Sequence, residues 1–441
     1  MKLAYVGGGS LFVPSIVNGV GTVMKQAPTP FGVEFSLYDV RPEQAGRMQA
    51  YAEVVRNAWH VPLQACVASS RAEALDGADV VLVSVWLREE HERLERLMEA
   101  LGFRLPAEGP EVAAWGVASA PWTLAVAAEM RQYCPGALFA TLMNPTDVIA
   151  GVANASLADE SGGVQAAGLC VEVDGLRGAL AYYFRVPYEC IELVHAGVNH
   201  DGWILGLKVQ GQDGSQDGSR NGYALWQERW RDLEHDPNYH PGNRGIRPIL
   251  DLTGHLRSSG YHHWPYQVPE TPQERMLWDA WQDKRALYTQ ALDEALQRGK
   301  PISDPPGIHP ERSRLNYPFT GITVGRLVQS MATGQANVIP LQVPNRGAVS
   351  NFPDQVIVEV PTLVQGRTVQ AMPVGELPEW LGGYTRLLAI QRRLIVEYVF
   401  DRQLTTLKRA LATLPMFGTV QQLNRFANAL HEEFVCTTLK A

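Results

Sequence analysis

The chain has 441 residues, 46% of them hydrophobic, and a formal net charge of −8 with no Lys/Arg-rich run. That length can bury a large core in two lobes, and the charge argues against nucleic acid as a partner. No apolar stretch reaches the roughly 18 residues of a membrane span, and an opening strand leaves no room for a signal peptide, so a cytoplasmic protein without a membrane partner is expected.

Five cysteines, at positions 66, 134, 170, 190 and 436, are an odd and scattered set that fits free thiols in a reducing compartment. Leu3-Ala4-Tyr5-Val6 reads as a buried strand and runs straight into Gly7-Gly8-Gly9-Ser10-Leu11-Phe12. A second apolar run, Val33 to Tyr38, ends at Asp39. Strand, glycine turn, helix, strand and carboxylate make the βαβ unit that binds a dinucleotide. Glycine lets the backbone approach the pyrophosphate, whose charge faces the free N–H groups of the helix start. Asp39 is placed to accept from the ribose hydroxyls and would repel a 2′-phosphate, which favours NAD over NADP. The pattern has Phe12 where a third glycine is usual.

Pro42 to Trp59 is predicted helical, Val80 to Val85 a buried strand that contains Ser84, a candidate cofactor contact, and Arg88 to Leu101 an amphipathic helix. Pro121 to Gln132 is predicted as a helix after a turn through residues 108–121, and Ala137 to Met143 as a strand ending at Asn144-Pro145. The alternation predicts an α/β fold with a Rossmann-like doubly wound parallel sheet over residues 1–190. Strands at Ile191 to His195 and Trp203 to Val209, a surface loop at Gly211 to Gly222 and an irregular segment at His235 to Pro248 follow. Pro272 to Arg298 is predicted helical, Val356 to Val360 a strand, and apolar positions 387, 388, 394, 395, 398, 404, 407, 411 and 414 suggest one long amphipathic helix. Residues 191–441 are thus expected to form a C-terminal α+β domain that completes the cleft, lactate/malate dehydrogenase-like overall.

Two further stretches carry chemistry: Gly168-Leu169-Cys170 and Gly197-Val198-Asn199-His200. A thiolate and an imidazole on two loops can hold a divalent transition metal, although two ligands alone form no standard zinc pattern. In order, Gly7-Gly8-Gly9-Ser10, Asn144-Pro145, Gly168-Leu169-Cys170, Gly197-Val198-Asn199-His200 with Trp203, Val343-Pro344-Asn345-Arg346-Gly347 and Val358-Glu359-Val360-Pro361 resemble glycoside hydrolase family 4, in its 6-phospho-β-glucosidase-like branch. The likeness spans nearly the whole chain.

The resemblance implies a glycosidase that departs from two-carboxylate hydrolysis. NAD⁺ takes hydride from C3 of the sugar, a base removes the acidified C2 proton, the C1 group is expelled, water adds and the hydride returns. It implies Cys170 and His200 as ligands of Mn²⁺ or another divalent metal, Asn144 and Asn199 as substrate contacts, and a homodimer or homotetramer. Tyr261, in Ser258-Ser259-Gly260-Tyr261-His262-His263-Trp264, is the expected base, with Tyr239 and Tyr266 as competitors. Val171 stands where the family often has His or Asp after the metal cysteine, so Glu172 or Asp174 is the candidate acid.

Arg88 and Arg275 are the candidate phosphate contacts, but acids at 89, 90, 108 and 111 would repel a dianion. An unphosphorylated α- or β-glycoside, as in an α-galactosidase or α-glucosidase, is therefore the alternative substrate. The rival functions are an NAD-dependent 2-hydroxy-acid dehydrogenase and a catalytically inactive NAD-binding sensor.

Overall fold

The computed structural model describes residues 1–102, 110–159, 162–211, 219–234, 246–259, 284–305, 308–414 and 417–436. The first half alternates strand and helix: β1 (Lys2–Val6), α1 (Val13–Gln26), β2 (Val33–Tyr38), α2 (Pro42–Trp59), β3 (Leu63–Val67), α3 (Arg71–Leu75), β4 (Val80–Val83), α4 (Arg88–Leu101), α5 (Pro110–Tyr133), β5 (Leu138–Thr141), α6 (Thr146–Leu157), β6 (Ala166–Gly168) and α7 (Glu172–Phe184). The second half has β7 (Ile191–Val198), β8 (Asp201–Val209), β9 (Arg220–Asn221), α8 (Gly222–Glu234), α9 (Ile246–Thr253), α10 (Arg285–Arg298), α11 (Pro318–Thr333), β10 (Asn337–Pro344), β11 (Ile357–Gln365) and β12 (Thr368–Ala371). Three helices close it: α12 (Glu379–Asp401), α13 (Leu404–Ala412) and α14 (Val420–His431).

One sheet of 12 strands runs through both halves in the order β3-β2-β1-β4-β5-β6-β10-β11-β7-β8-β9, with β12 paired to β11. From β3 to β6 every pairing is parallel. Val80 to Val83 are all buried, as a strand covered by helices on both faces should be. The sheet turns antiparallel where Gln342 of β10 pairs with Gly168 of β6. Cys170 therefore lies just past the seam between the two patterns. The β7–β8 hairpin reaches the same seam through Glu359 of β11, which pairs with Gly197.

The second half also grips α1. Gly19 of α1 faces Gly321 of α11 so closely that a Cβ on Gly19 would come within 1.9 Å of the Gly321 carbonyl carbon. Phe12 stacks on Tyr317, ring centroids 5.7 Å apart, just before α11 begins.

Several expectations change. The turn expected through residues 108–121 is helix from Pro110 onward, because α5 continues through Pro121. Pro121 has no N–H to donate to the Val117 carbonyl one turn back, and on either side of it the Ser119 and Thr123 hydroxyls donate to the Trp115 and Ser119 carbonyls at 2.8 and 3.0 Å. The single long helix expected across positions 387–414 is two, broken at Arg402, whose φ of 53° ends α12 before α13 begins. The strand expected over Val80 to Val85 stops at Val83. Of the irregular segment expected at His235 to Pro248, residues 246–248 begin α9 and 235–245 lie outside the described residues. Among the described residues no helix is long and apolar enough to cross a membrane.

Candidate active site

The turn after β1 is tight and closely packed against β2 and the end of β4. Gly7 has φ 90°, and a Cβ there would fall 2.2 Å from the Ser84 carbonyl oxygen. The Gly7 and Gly8 N–H groups donate to the Tyr38 carbonyl at 2.9 and 2.8 Å, which pins the turn against β2. Ser10 and Ser84 hydroxyls meet at 3.2 Å. The first turn of α1 has no acidic residue and no side-chain cap, but Val13 N–H donates to the Ser10 carbonyl at 3.0 Å, Phe12 N–H donates to Ser10 Oγ at 3.3 Å and Pro14 has no N–H, so an anion here would meet the positive end of the helix rather than a ring of free donors. Asp39 accepts from the backbone N–H of Gly9 and of Arg41, each at 2.9 Å. These bonds orient its carboxylate at the turn and still leave lone pairs for ribose hydroxyls.

Across the seam, ligand atoms of Cys170, Glu172 and His200 all lie within 4.8 Å of one another. Cys170 is buried, while Glu172 and His200 are half-buried. Burial, and then the carboxylates of Glu359 and Glu172, push the Cys170 thiol well above its usual range. Burial followed by Glu172 does the same to Glu359. A thiol and carboxylates that disfavour one another's negative charge, beside an imidazole, are a set that a cation would reconcile. The mixed sulfur, nitrogen and oxygen donors suit a first-row transition ion better than calcium or magnesium.

The imidazole is presented by a two-residue turn. Val198 pairs with Asp201, leaving Asn199-His200 as the loop of the β7–β8 hairpin. His200 has φ 60°, the left-handed region that non-glycine residues seldom adopt. Two buried ion pairs hold this turn from beneath. Arg392 Nη1 lies 2.7 Å from Asp147 Oδ2 and donates at 2.7 Å to the Asn199 carbonyl. Arg257 Nη2 lies 2.9 Å from Asp201 Oδ1 and donates at 2.9 Å to the His200 carbonyl. Thr385 Oγ1 donates to the second Asp201 oxygen at 2.7 Å and accepts from Trp203 Nε1 at 3.1 Å.

The Asn199 side chain is buried in the same network. Its Oδ1 accepts from Thr146 Oγ1 at 2.8 Å and from Gln342 Nε2 at 3.0 Å, and its Nδ2 donates to Asn144 Oδ1 at 3.2 Å. Asn144 is exposed at the end of β5, next to a cis bond to Pro145. Asn199 thus positions Asn144, and Asn144 is the one of the two that faces outward.

The model of the Family 4 glycosyl hydrolase matches residues 2–185, and that of the Family 4 glycosyl hydrolase C-terminal domain matches residues 195–417. The chain belongs to glycosyl hydrolase family 4. It is 22% identical over 430 residues to "Probable 6-phospho-beta-glucosidase" of Bacillus subtilis (strain 168), covering 94% of this chain and 92% of the relative. It is 22% identical over 418 residues to "Alpha-galactosidase" of the same organism, covering 91% and 90%. The fold is also that of the 6-phospho-beta glucosidase from Thermotoga maritima with manganese, NAD+ and glucose-6-phosphate: TM-score 0.71, 16% identity, covering 100% of this chain and 98% of that one.

In this family 4 glycosidase, then, Gly7 to Phe12, Asp39 and Ser84 gather at one turn, and Cys170, Glu172 and His200 at one cluster. Asn144 and Asn199 are joined by a hydrogen bond. Arg88 is exposed as the first residue of α4. Tyr261 and Arg275, and the competitors Tyr239 and Tyr266, lie outside the described residues. Asp174 is committed to structure, accepting from Tyr188 Oη at 2.8 Å and Thr323 Oγ1 at 2.7 Å.

Sequence reasoning missed Asp147, Arg257, Gln342, Thr385 and Arg392. One signal was available for Arg392: it sits four residues after Leu388 and three before Ile395, on the apolar stripe of its own helix. Glu359 was quoted in a motif, yet a lone acid inside Val358-Glu359-Val360 is itself a mark of a buried functional site.

Proposed function

We propose that this family 4 glycosidase cleaves an O-glycosidic bond with NAD⁺ and Mn²⁺, or another divalent ion, as cofactors. Residues 1–190 hold the nucleotide and residues 191–441 complete the substrate side. The observation that carries the reading is the convergence of Cys170, Glu172 and His200 ligand atoms to within 4.8 Å, on the same sheet edge as the glycine turn. When bound, NAD⁺ accepts and returns a ring hydride, and the cation polarises the neighbouring sugar oxygens.

The chain's own residues do the rest. The Gly7 to Phe12 turn and Ser84 seat the pyrophosphate, and Asp39 accepts from the adenosine ribose. Asn144 offers its amide to the sugar beside the nicotinamide. Cys170 and His200 hold the cation, with the His200 turn fixed by Arg257 and Arg392. Tyr261 takes the C2 proton. Ser258 N–H donates to the Gly202 carbonyl at 2.9 Å, so the chain is anchored beside the His200 hairpin only three residues, about 11 Å of extended backbone, before Tyr261.

A 6-phospho-β-glucoside is the leading substrate, with Arg88 and Arg275 as its phosphate contacts. The first turn of α4 carries Glu89 and Glu90, and this local negative charge favours an unphosphorylated glycoside as the second reading. A homo-oligomer is part of the proposal, supported by Trp380 and Leu387, exposed seven residues apart on α12. Cytoplasmic residence is supported by the free thiols of Cys66, Cys134, Cys170 and Cys190.

The test is a panel of nitrophenyl glycosides, plain and 6-phosphorylated, with Mn²⁺ and NAD⁺ added or withheld. Turnover that requires both additives is expected. Stoichiometric NADH release from lactate or malate in a parallel assay, with no glycoside hydrolysed, would identify a dehydrogenase instead, and nucleotide affinity with no turnover of either class would identify a sensor.

A further inference from the structure

Glu172 occupies a place that an acid at a helix start does not need. Carboxylates in a first helical turn are ordinarily solvated and interact favourably with the positive helix end. The first turn of α7 carries two, Glu172 and Asp174. Asp174 is 1% exposed and bound by the Tyr188 and Thr323 hydroxyls, so it ties α7 to its neighbours. Glu172 is turned instead toward a thiol and an imidazole.

We infer that Glu172 is a third protein ligand of the cation, beside Cys170 and His200. The inference rests on the proposal that these two residues hold a cation, and adds a residue and a stoichiometry to it. Three atoms no more than 4.8 Å apart leave a point within about 2.8 Å of all of them. Transition-metal bonds to sulfur, nitrogen and carboxylate oxygen run about 2.0 to 2.3 Å, so small side-chain rotations close the remaining gap. Charge favours the same arrangement. Cys170 is buried, and a dication held by one thiolate and a neutral imidazole would leave net positive charge in a partly desolvated site. A thiolate and a carboxylate together neutralise it.

The assignment has a consequence for the reaction. A carboxylate engaged as a ligand does not deliver a proton to the leaving group, so the acid must come from elsewhere, and one fewer position on the cation remains for sugar oxygens and water. Val171 can neither bind metal nor donate a proton, and the next residue along the chain supplies only the first of these.

The test is Mn²⁺ titration of the full-length, NAD⁺-loaded protein, read by calorimetry and by loss of the free-Mn²⁺ electron paramagnetic resonance signal. Glu172→Gln should weaken Mn²⁺ binding by about 10- to 100-fold, and Cys170→Ser by at least as much. Glu172→Asp keeps the charge one methylene short and should fall between Gln and wild type; it carries the test if the Gln variant does not fold. Wild-type Mn²⁺ affinity in both Glu172 variants, with affinity lost in Cys170→Ser, overturns the third ligand while leaving the cation site intact. Wild-type affinity in all three variants removes the cation site itself.

Discussion

Arg392→Met is the sharpest perturbation of the platform under the Asn199-His200 turn. Arg392 is 3% exposed and its Nη1 lies 2.7 Å from both Asp147 Oδ2 and the Asn199 carbonyl. Breaking a buried ion pair from one side costs about 3 to 5 kcal/mol, because the partner's charge is stranded. Asp147 keeps backbone donors at 2.8 Å from Val148 and 3.3 Å from Asn199, so the lower end is expected, about 3 kcal/mol. Against a total of roughly 5 to 15 kcal/mol, that is a large fraction. The variant should therefore unfold at a markedly lower urea midpoint with an unchanged m-value.

Adding Asp147→Asn removes the stranded charge, so the double variant should be at least about 1 kcal/mol more stable than the sum of the single losses. The freed Asn199-His200 turn should also lower Mn²⁺ affinity by about 10- to 100-fold. A wild-type urea midpoint for Arg392→Met, or strictly additive single losses, refutes the reasoning.

Asp39→Ala should weaken NAD⁺ binding about 10-fold or more in a calorimetric titration, since a hydrogen bond to a charged group contributes about 1.5 to 3 kcal/mol; unchanged affinity would put the ribose elsewhere. Tyr261→Phe should lose turnover while keeping NAD⁺ affinity, and undiminished turnover removes it as the base. Burial lowers His195 from 6.5 to about 3, so between those pH values the unfolded chain binds a proton that the folded one does not. Stability should therefore fall as pH drops through that window, and His195→Leu should flatten the urea midpoint there; identical slopes would contradict the burial of a neutral imidazole. Thr419 and Gln422 form a reciprocal cap on α14, both bonds at 3.1 Å. Thr419→Ala should cost about 1 kcal/mol of stability and leave kcat unchanged, and a loss of activity would show that α14 reaches the site.

The parts of the site that were legible are those whose residue types are informative within a short window. Glycines after a buried strand, Asp39 at the end of the next one, and Asn199-His200 in a glycine-flanked hairpin each announce a backbone need together with a chemical group. The platform was not legible for a different reason. Asp147, Arg257, Gln342, Thr385 and Arg392 meet the turn from elements far apart in the chain, and a charge in a helix looks the same in sequence whether it is buried or solvated. Arg392 and Arg393 are neighbours, yet one side chain is 4% exposed and the other 36%.

The helix running through Pro121 was hidden likewise, because proline signals a break and only tertiary packing overrides it. Gly116 of the same helix faces Val148 and Ile395, a contact no local window contains.

The central claim is that one cation binds the Cys170 thiolate and the His200 imidazole beside the nucleotide. X-ray absorption at the manganese edge, on NAD⁺-loaded protein with one equivalent of Mn²⁺, reads the ligands directly. One sulfur shell together with nitrogen and oxygen neighbours is expected, the sulfur vanishing in Cys170→Ser. A wild-type spectrum with oxygen and nitrogen neighbours alone would contradict it.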